Sequence, residues 1–524
     1  MVGLMLVLLG AAVFGPHIVH GGFYYDDWAN YAQTKYGPQA GFFAAIRSWF
    51  DTAGARPGTA LYMPLTHELL GFHIGAHLAL AAVWAIAMSL AFYLLLRCLG
   101  IERLSALLIA ALALVFPFSD STRLNAVSGL SSFAITLYLV GAIIAVIAFR
   151  YARTPLRWHA VSIAFYLVSV LTYEITAGPV VVLGLGLYLL CAPSRQALVR
   201  WVVDVAVVAL ALLAFNSRSA DKTVHSLGYM FDHARVILDQ GVGILASALS
   251  PFGAPNQWGA LALIVLVLAV GIAAFRLLGP GADRRELRRW LLVCGGGLLA
   301  IVAGYLMFIP ADVYYSPATL GVGNRVNAFA ALGCVTVAYA LAMLFGTLAF
   351  RGLKGARAAA VTTAALVAVA IGAGYIDLVR ADAGFWDRAY QQEQYVLGTI
   401  NRLVPNPRHG STILAVGQPL FYAPGIPVFA ASWDLDGAVK IQYRDHSVRA
   451  QPVAPGETVA CRPDGVALLP GGSPPGRPIV SSPYGRTYIV HVPQAEPALV
   501  RSLRACVALA PHLKPGPAQL TPGS

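Results

Sequence analysis

Along the first 378 residues, long apolar stretches with few charges inside them return repeatedly. They lie near 1–20, 74–96, 104–118, 129–149, 159–172, 176–191, 201–216, 257–275, 290–309, 327–350 and 358–378, which gives eleven candidate membrane crossings. In hydrocarbon a backbone satisfies its own N–H and C=O groups only in helices or closed barrels, and runs of this kind predict helices. Charged residues make up 11% of the chain, against roughly 25% in an average soluble protein. An ordinary soluble enzyme, a disordered chain and a small disulfide scaffold are thereby excluded. The expected fold class is an all-α polytopic membrane bundle.

Several stretches are shorter than the roughly 20 residues a spanning helix needs, so charge placement tests the count. With a cytoplasmic amino terminus, the inner loops hold Arg97, Arg103, Arg150, Arg153, Arg157, Arg195, Arg200, Arg276, Arg284, Arg285, Arg288, Arg289, Arg351, Lys354 and Arg357. The longer outer loops hold only Lys35, Arg47, Arg56, Arg123, Arg218, Lys222, Arg235 and Arg325. Basic residues collect on the cytoplasmic side, which fixes this orientation. It also requires two crossings between 159 and 191, with Tyr173 and Glu174 at an outer turn. The first segment lacks a basic leader and a small-residue cleavage site before Gly21, so it reads as a retained helix. An odd number of crossings then leaves the carboxy-terminal part outside the cytoplasm.

Two domains are expected: a membrane domain over 1–378 with a long first outer loop at 21–68, and a small extracytoplasmic α/β domain over 379–524. In the second, Phe385 to Leu403 reads as an amphipathic helix, Ser411 to Val416 and Thr487 to Val492 as strands, and the end after Pro515 as loose. The net charge of +12 sits in short loops and sets membrane orientation, so no nucleic-acid partner is expected. Cys98, Cys191, Cys294 and Cys334 read as small buried hydrophobes. Cys461 and Cys506 are the pair in the outer domain, and an oxidising compartment allows a disulfide between them.

Chemistry concentrates after the first helix, in Phe23-Tyr24-Tyr25-Asp26-Asp27-Trp28-Ala29-Asn30. Adjacent carboxylates just beyond the membrane, framed by interfacial aromatics, suit general base work or helix capping. The same loop carries Phe42 to Phe50, expected to lie flat on the bilayer, and closes on Ala-Arg56-Pro-Gly. At the same outer level stand Arg123 and Asn125, Tyr173 and Glu174, and Asp312, Tyr314, Tyr315, Asn324 and Arg325. Ionisable groups at one depth from four connections can converge on a cavity. Alternatively, Asp26 and Asp27 cap a helix, Arg56 snorkels, and Glu174 and Arg325 merely end helices. His67, His73 and His77 read as polar packing rather than metal ligands.

The acidic "FYYDDWAN" in the first outer loop, "ARPG" at Arg56, "LTYE" at Tyr173 and Glu174, and "GNRVN" at Asn324 and Arg325 together resemble the C-type (GT-C) superfamily of membrane glycosyltransferases. The resemblance implies transfer of a sugar from a polyprenyl-phosphate donor to a hydroxyl of an extracytoplasmic glycan or glycolipid, with inversion, at a bacterial plasma membrane. It places Asp26 as base, with Asp27 orienting the acceptor or exchanging roles with it, and no metal or other cofactor assigned. Guanidinium forks suit a lipid-phosphate leaving group, from Arg56 and Arg325 with Arg123 behind them. Trp386, Tyr390, Trp433 and Tyr443 could stack on an acceptor sugar. The alternative is a polytopic transporter or lipid-linked sugar flippase, which would carry its charges near the midplane; an assembly scaffold with a ligand-binding outer domain is a further reading.

Overall fold

The computed structural model describes residues 1–37, 41–150, 154–191, 194–216, 225–253, 257–277, 282–470, 478–494, 496–513 and 515–519. Arg153, Arg218 and Lys222 of the charge argument lie outside the described residues. In chain order come α1 (Val2–His20), α2 (Asp26–Lys35), α3 (Phe42–Thr52), α4 (Pro57–Leu70), α5 (Ile74–Cys98), α6 (Arg103–Leu114), α7 (Ser121–Leu124) and α8 (Gly129–Arg150). They are followed by α9 (Pro155–Thr172), α10 (Ala177–Leu189), α11 (Ser194–Asn216), α12 (Leu227–Leu249), α13 (Gln257–Leu277), α14 (Ala282–Leu306), α15 (Ala330–Ala349) and α16 (Ala356–Leu403).

All eleven expected stretches are helical, and eight of these helices are long and apolar enough to cross a membrane by length and composition. The other three are α6, α9 and α10; the last two meet at Tyr173 and a 3-10 turn over Glu174–Thr176. Arginines gather at one end of the bundle. Arg150 donates to the carbonyls of Cys98 (2.6 Å) and Leu190 (3.4 Å), Arg289 donates to Gly100 O at 2.6 Å, and Arg357 pairs with Glu102. Guanidinium groups thus meet the carbonyls that helix ends leave unpaired.

Two elements differ from expectation. The segment after α11 contains α12, whose Asp232, Arg235 and Asp239, exposed on the face away from His233 and Ile237, interrupt the apolar run and give it the look of a loop. Tyr229 of α12 donates to Ala311 O at 3.1 Å, while Ala248 O accepts from Tyr375 of α16 at 2.6 Å. Both ends of α12 therefore touch the end of the bundle opposite the arginines. The second difference is α16, which runs 48 residues, or about 72 Å at 1.5 Å per residue. The domain boundary expected at 378 falls inside it, and the helix expected over Phe385 to Leu403 is its continuation. Charged residues enter at Asp377, Arg380 and Asp382, but no proline stops the helix.

Beyond α16 lie β1 (Thr412–Val416), β2 (Phe421–Ala423), β3 (Ile426–Pro427), α17 (Ser432–Tyr443), β4 (Arg449–Pro452), β5 (Thr458–Arg462), β6 (Gly465–Leu469), β7 (Val480–Pro483), β8 (Thr487–His491), β9 (Glu496–Val500) and α18 (Leu503–Leu509). The main sheet has order β4-β1-β8-β9, with β1 parallel to both neighbours; β5-β6-β7 form an antiparallel sheet and β2-β3 a hairpin. Five consecutive buried residues in β1 reflect cover on both faces. A disulfide joins Cys461 of β5 to Cys506 of α18, with Cα atoms 5.7 Å apart. The stretch after Pro515, expected to be loose, is held as far as Gln519: Leu420 N donates to Pro517 O and Phe421 N to Ala518 O.

One apolar core joins the two parts of the chain. Trp28, Tyr31 and Ala32 of α2 pack with Val396, Leu397 and Ile400 of α16, with Leu435 and Val439 of α17, and with Ile413 and Ala415 of β1. The first outer loop is thus clamped between the far half of α16 and the carboxy-terminal domain. Gly437 makes the contact possible, because a Cβ there would stand 2.6 Å from Trp28 O.

Candidate functional site

The site begins at a strained turn. Tyr25, just ahead of α2, holds φ +51°, a conformation costly for a side chain of this size. The turn is held by Asp27. Its Oδ2 accepts from Tyr24 N (3.1 Å), Asn125 Nδ2 (2.9 Å) and Ala126 N (3.4 Å), and its Oδ1 accepts from Val127 N at 2.7 Å. Asp27 is buried, and its carboxylate is spent on fastening the first loop to the connection before α8. Burial pushes its pKa up to about 7, against the pull of the backbone N–H donors.

Asp26 is oriented differently. Its Oδ1 accepts from the indole N–H of Trp433 at 2.9 Å, and its Oδ2 stands 3.9 Å from Arg325 Nη1. Its side chain keeps 31% exposure, so a substrate can reach it. Burial raises its pKa, while Arg325 and the Trp433 N–H oppose the rise. Trp433 is 48% exposed and packs edge-on against Tyr25, with ring centroids 5.6 Å apart.

Arg56 is presented by the start of α4 and meets Glu174 through Nε alone, at 2.8 Å to each carboxylate oxygen. Its guanidinium lies 5.0 Å from the centre of the Tyr173 ring. Burial disfavours the Arg56 charge, but Glu174 outweighs it and the net pKa is raised. Arg325 lies 5.9 Å from the ring centres of both Tyr314 and Tyr315. Its pKa is also raised: burial opposes the charge, and Tyr173, Tyr314 and Asp26 favour it. Three connections therefore bring Asp26, Arg56, Tyr173, Glu174 and Arg325 into one neighbourhood, at the end of the bundle opposite the arginine-capped loops. The Arg56–Glu174 pair is partly exposed, at 38% and 28%, which leaves room for an anionic ligand to compete, while Arg325 keeps 13%.

Two residues expected to face substrate do not. Arg123 is buried and donates to the carbonyls of Phe116 (3.0 Å) and Ala113 (2.9 Å), closing the end of α6. Asn324 is buried too, donating to Asp120 Oδ1 at 2.7 Å and accepting from Ser121 N at 3.1 Å. Asn324 thereby holds the Arg325 connection against the one around α7, while Arg123 ties that second connection to itself. Sequence places them at the right depth, but depth says nothing of direction. Of the four aromatics considered for sugar stacking, Trp386 is fully buried, Tyr443 donates to Val404 O at 2.7 Å, and Trp433 alone reaches Asp26.

Under the site lies a layer of carboxylates, buried or half-buried, that apolar patterning alone does not reveal. Asp387 of α16 meets His17 Nδ1 at 2.6 Å, and Glu393 accepts from the Trp28 indole at 3.1 Å. Asp120 lies against Asp382, and burial pushes Asp120 up to about 6. The available signal was the acidic residues at 382, 387 and 393 following an apolar span. His67 bonds Thr34 at 2.9 Å and His77 bonds Gly71 O at 3.0 Å. Among the described residues no group of three or more His, Cys, Asp or Glu side chains is arranged to hold a metal ion.

No protein-family model matches the sequence, and no curated protein matches it. Among solved structures, the chain is similar to the Archaeoglobus fulgidus oligosaccharyltransferase in complex with zinc and sulfate, at 12% identity and TM-score 0.39, over 86% of this chain and 62% of that one. The same enzyme tethered to an acceptor peptide containing the NVT sequon gives 13% identity and TM-score 0.41, over 86% and 63%. ArnT from Cupriavidus metallidurans bound to undecaprenyl phosphate gives 11% identity and TM-score 0.40, over 85% of each chain. The chain thus spans somewhat under two thirds of the archaeal enzyme. Likeness at these TM-scores assigns no role to any residue.

Proposed function

We propose that the protein is a membrane glycosyltransferase that moves a sugar from a polyprenyl-phosphate donor to a hydroxyl of an extracytoplasmic glycan or glycolipid, with Asp26 as general base. The observation that carries this reading is the pairing of a reachable Asp26 with Arg325, 3.9 Å away, beside Arg56 at the membrane-proximal end of the bundle. A carboxylate next to free guanidinium surface is the minimum that sugar transfer from a phosphate requires. The acceptor hydroxyl gives its proton to Asp26 as its oxygen bonds the anomeric carbon. The bond from that carbon to the phosphate oxygen breaks, and the phosphate leaves with the electron pair. Arg56 engages Glu174 through Nε only, which leaves its Nη groups for the phosphate, and Arg325 can swing from Asp26 to the same group. A single displacement of this kind inverts the anomeric centre. A donor already anchored in the bilayer also accounts for transfer without a nucleotide-binding domain.

The test is to incubate purified protein with a panel of polyprenyl-phosphate sugars and follow release of polyprenyl phosphate. For an accepted donor, Asp26→Asn should lower turnover by about 10²–10⁴-fold with the fold intact. Full turnover in that variant removes Asp26 as base, and no release from any donor in the panel removes the transferase reading.

A further inference from the structure

The carboxy-terminal domain holds a cavity of about 480 Å³ whose lining includes Thr412, Lys440, His446, Ser447, Arg449 and Ser482. It opens where β1, β4 and β7 approach the last turn of α17. Its chemistry is one-sided. Three of these side chains are basic or can become so, four residues of the lining carry hydroxyls when Thr412, Ser447, Ser481 and Ser482 are counted, and none is acidic. The neighbouring carboxylates are already engaged: Asp436 with Lys440 at 2.5 Å, and Asp445 with His409 at 3.2 Å. Arg449 is exposed, stands beside Thr412 in parallel register, and has no ion-pair partner among the described residues. Ser481 is exposed at the lining, whereas the Oγ of Ser482 is shut away from it.

We propose that this cavity binds an acidic saccharide, its carboxylate or phosphate held by Arg449 beside the Lys440–Asp436 pair and its hydroxyls by the Thr412, Ser447 and Ser481 side chains. Charge-assisted bonds to Arg449 supply the affinity, and the row of hydroxyls supplies selectivity for a sugar over a bare anion. The location gives the site a use. Trp433, which touches Asp26, and Lys440 are seven residues apart on α17 and so lie on one helix face, about 10 Å apart along the axis. A glycan with its acidic unit in the cavity could extend another unit towards Asp26. That connection rests on the transferase reading, whereas the binding itself does not.

The experiment is calorimetric titration of the purified full-length protein with glucuronic acid, glucose 1-phosphate, glucose and inorganic phosphate. At least one acidic sugar should bind while glucose does not. Arg449→Ala should weaken that binding by about tenfold or more, Arg449→Lys should restore most of it, and Arg325→Ala should leave it unchanged. Absence of binding by both acidic sugars overturns the proposal. So does equal binding by Arg449→Ala, loss of binding in Arg325→Ala, or inorganic phosphate binding as tightly as glucose 1-phosphate, which would mark a site that reads charge alone. None of these results bears on release of polyprenyl phosphate, so the two readings fail separately.

Discussion

Asp26 and Asp27 share a peptide bond and almost nothing else. Four N–H donors surround Asp27, so its carboxylate fixes the turn, while Asp26 is left with one indole N–H and a guanidinium at 3.9 Å. Because burial lifts Asp27 to about 7 from 3.8, the folded chain holds that proton more tightly than the unfolded chain does. The stability it contributes is present below the ordinary carboxylate range and is lost as pH rises to about 7. Asp27→Asn should therefore flatten the melting temperature between about pH 4 and about pH 7. It should also lower stability at every pH by roughly 1–3 kcal/mol, because the amide N–H is set against donors. Parallel melting profiles for the variant and the wild type would contradict this. For Asp26 the readout is catalytic. A base works deprotonated, so turnover rises with pH through its pKa, and Arg325 holds that pKa down against burial. In Arg325→Gln the acid limb of kcat/KM should move to higher pH by about one unit, separately from any rise in KM. An unmoved limb would show that Asp26 is not the titrating base. Sequence places the two carboxylates together, yet does not say which one the fold surrounds with donors, because three of the four come from a connection about a hundred residues away.

At the scale of elements, the site is as well built as the contact between α2 and α17. The backbone of α2 approaches Gly437 so closely that any side chain there meets Trp28 O at 2.6 Å and Ala29 Cα at 2.7 Å, atoms that have no freedom to move aside. Gly437→Val should lift α17 from α2, withdraw Trp433 from Asp26 and lower sugar transfer by about tenfold or more, with the membrane bundle still folded by circular dichroism. Full transfer in this variant would show that the carboxy-terminal domain does not complete the site. This contact was the least legible part of the fold. Apolar runs located each of the eight helices long and apolar enough to cross a membrane, because lipid demands a run of known length. The same criterion passed over α12, whose Asp232, Arg235 and Asp239 belong to a helix lying across the bundle end. It also ended α16 where apolarity ends, although the helix itself continues through Asp382, Asp387 and Glu393. What stops a helix is backbone chemistry, and what stops an apolar run is the edge of the solvent.

For the whole molecule, the decisive question is which compartment the Asp26 end faces. The arginine end uses its charges structurally as well: Arg150, Arg289 and Arg357 each close a connection there. Mutating them to reorient the chain would therefore confuse topology with folding, and labelling is the cleaner measurement. Asp312 is exposed at the site end, and Leu353 is 61% exposed at the arginine end. Basic loops are retained on the cytoplasmic side, so Asp312→Cys should react with a membrane-impermeant maleimide on intact cells, and Leu353→Cys only after permeabilisation. The half-buried Cys98 and Cys191 would first be replaced by Ser, since both lie at the arginine end and would add signal there. The reverse pattern would put Asp26, Arg56 and Arg325 in the cytosol, together with the disulfide-bonded domain, where thiols are kept reduced. A lipid-linked donor would then have no advantage over a soluble nucleotide sugar, and the transfer reaction proposed for this end of the bundle would lose its physical rationale.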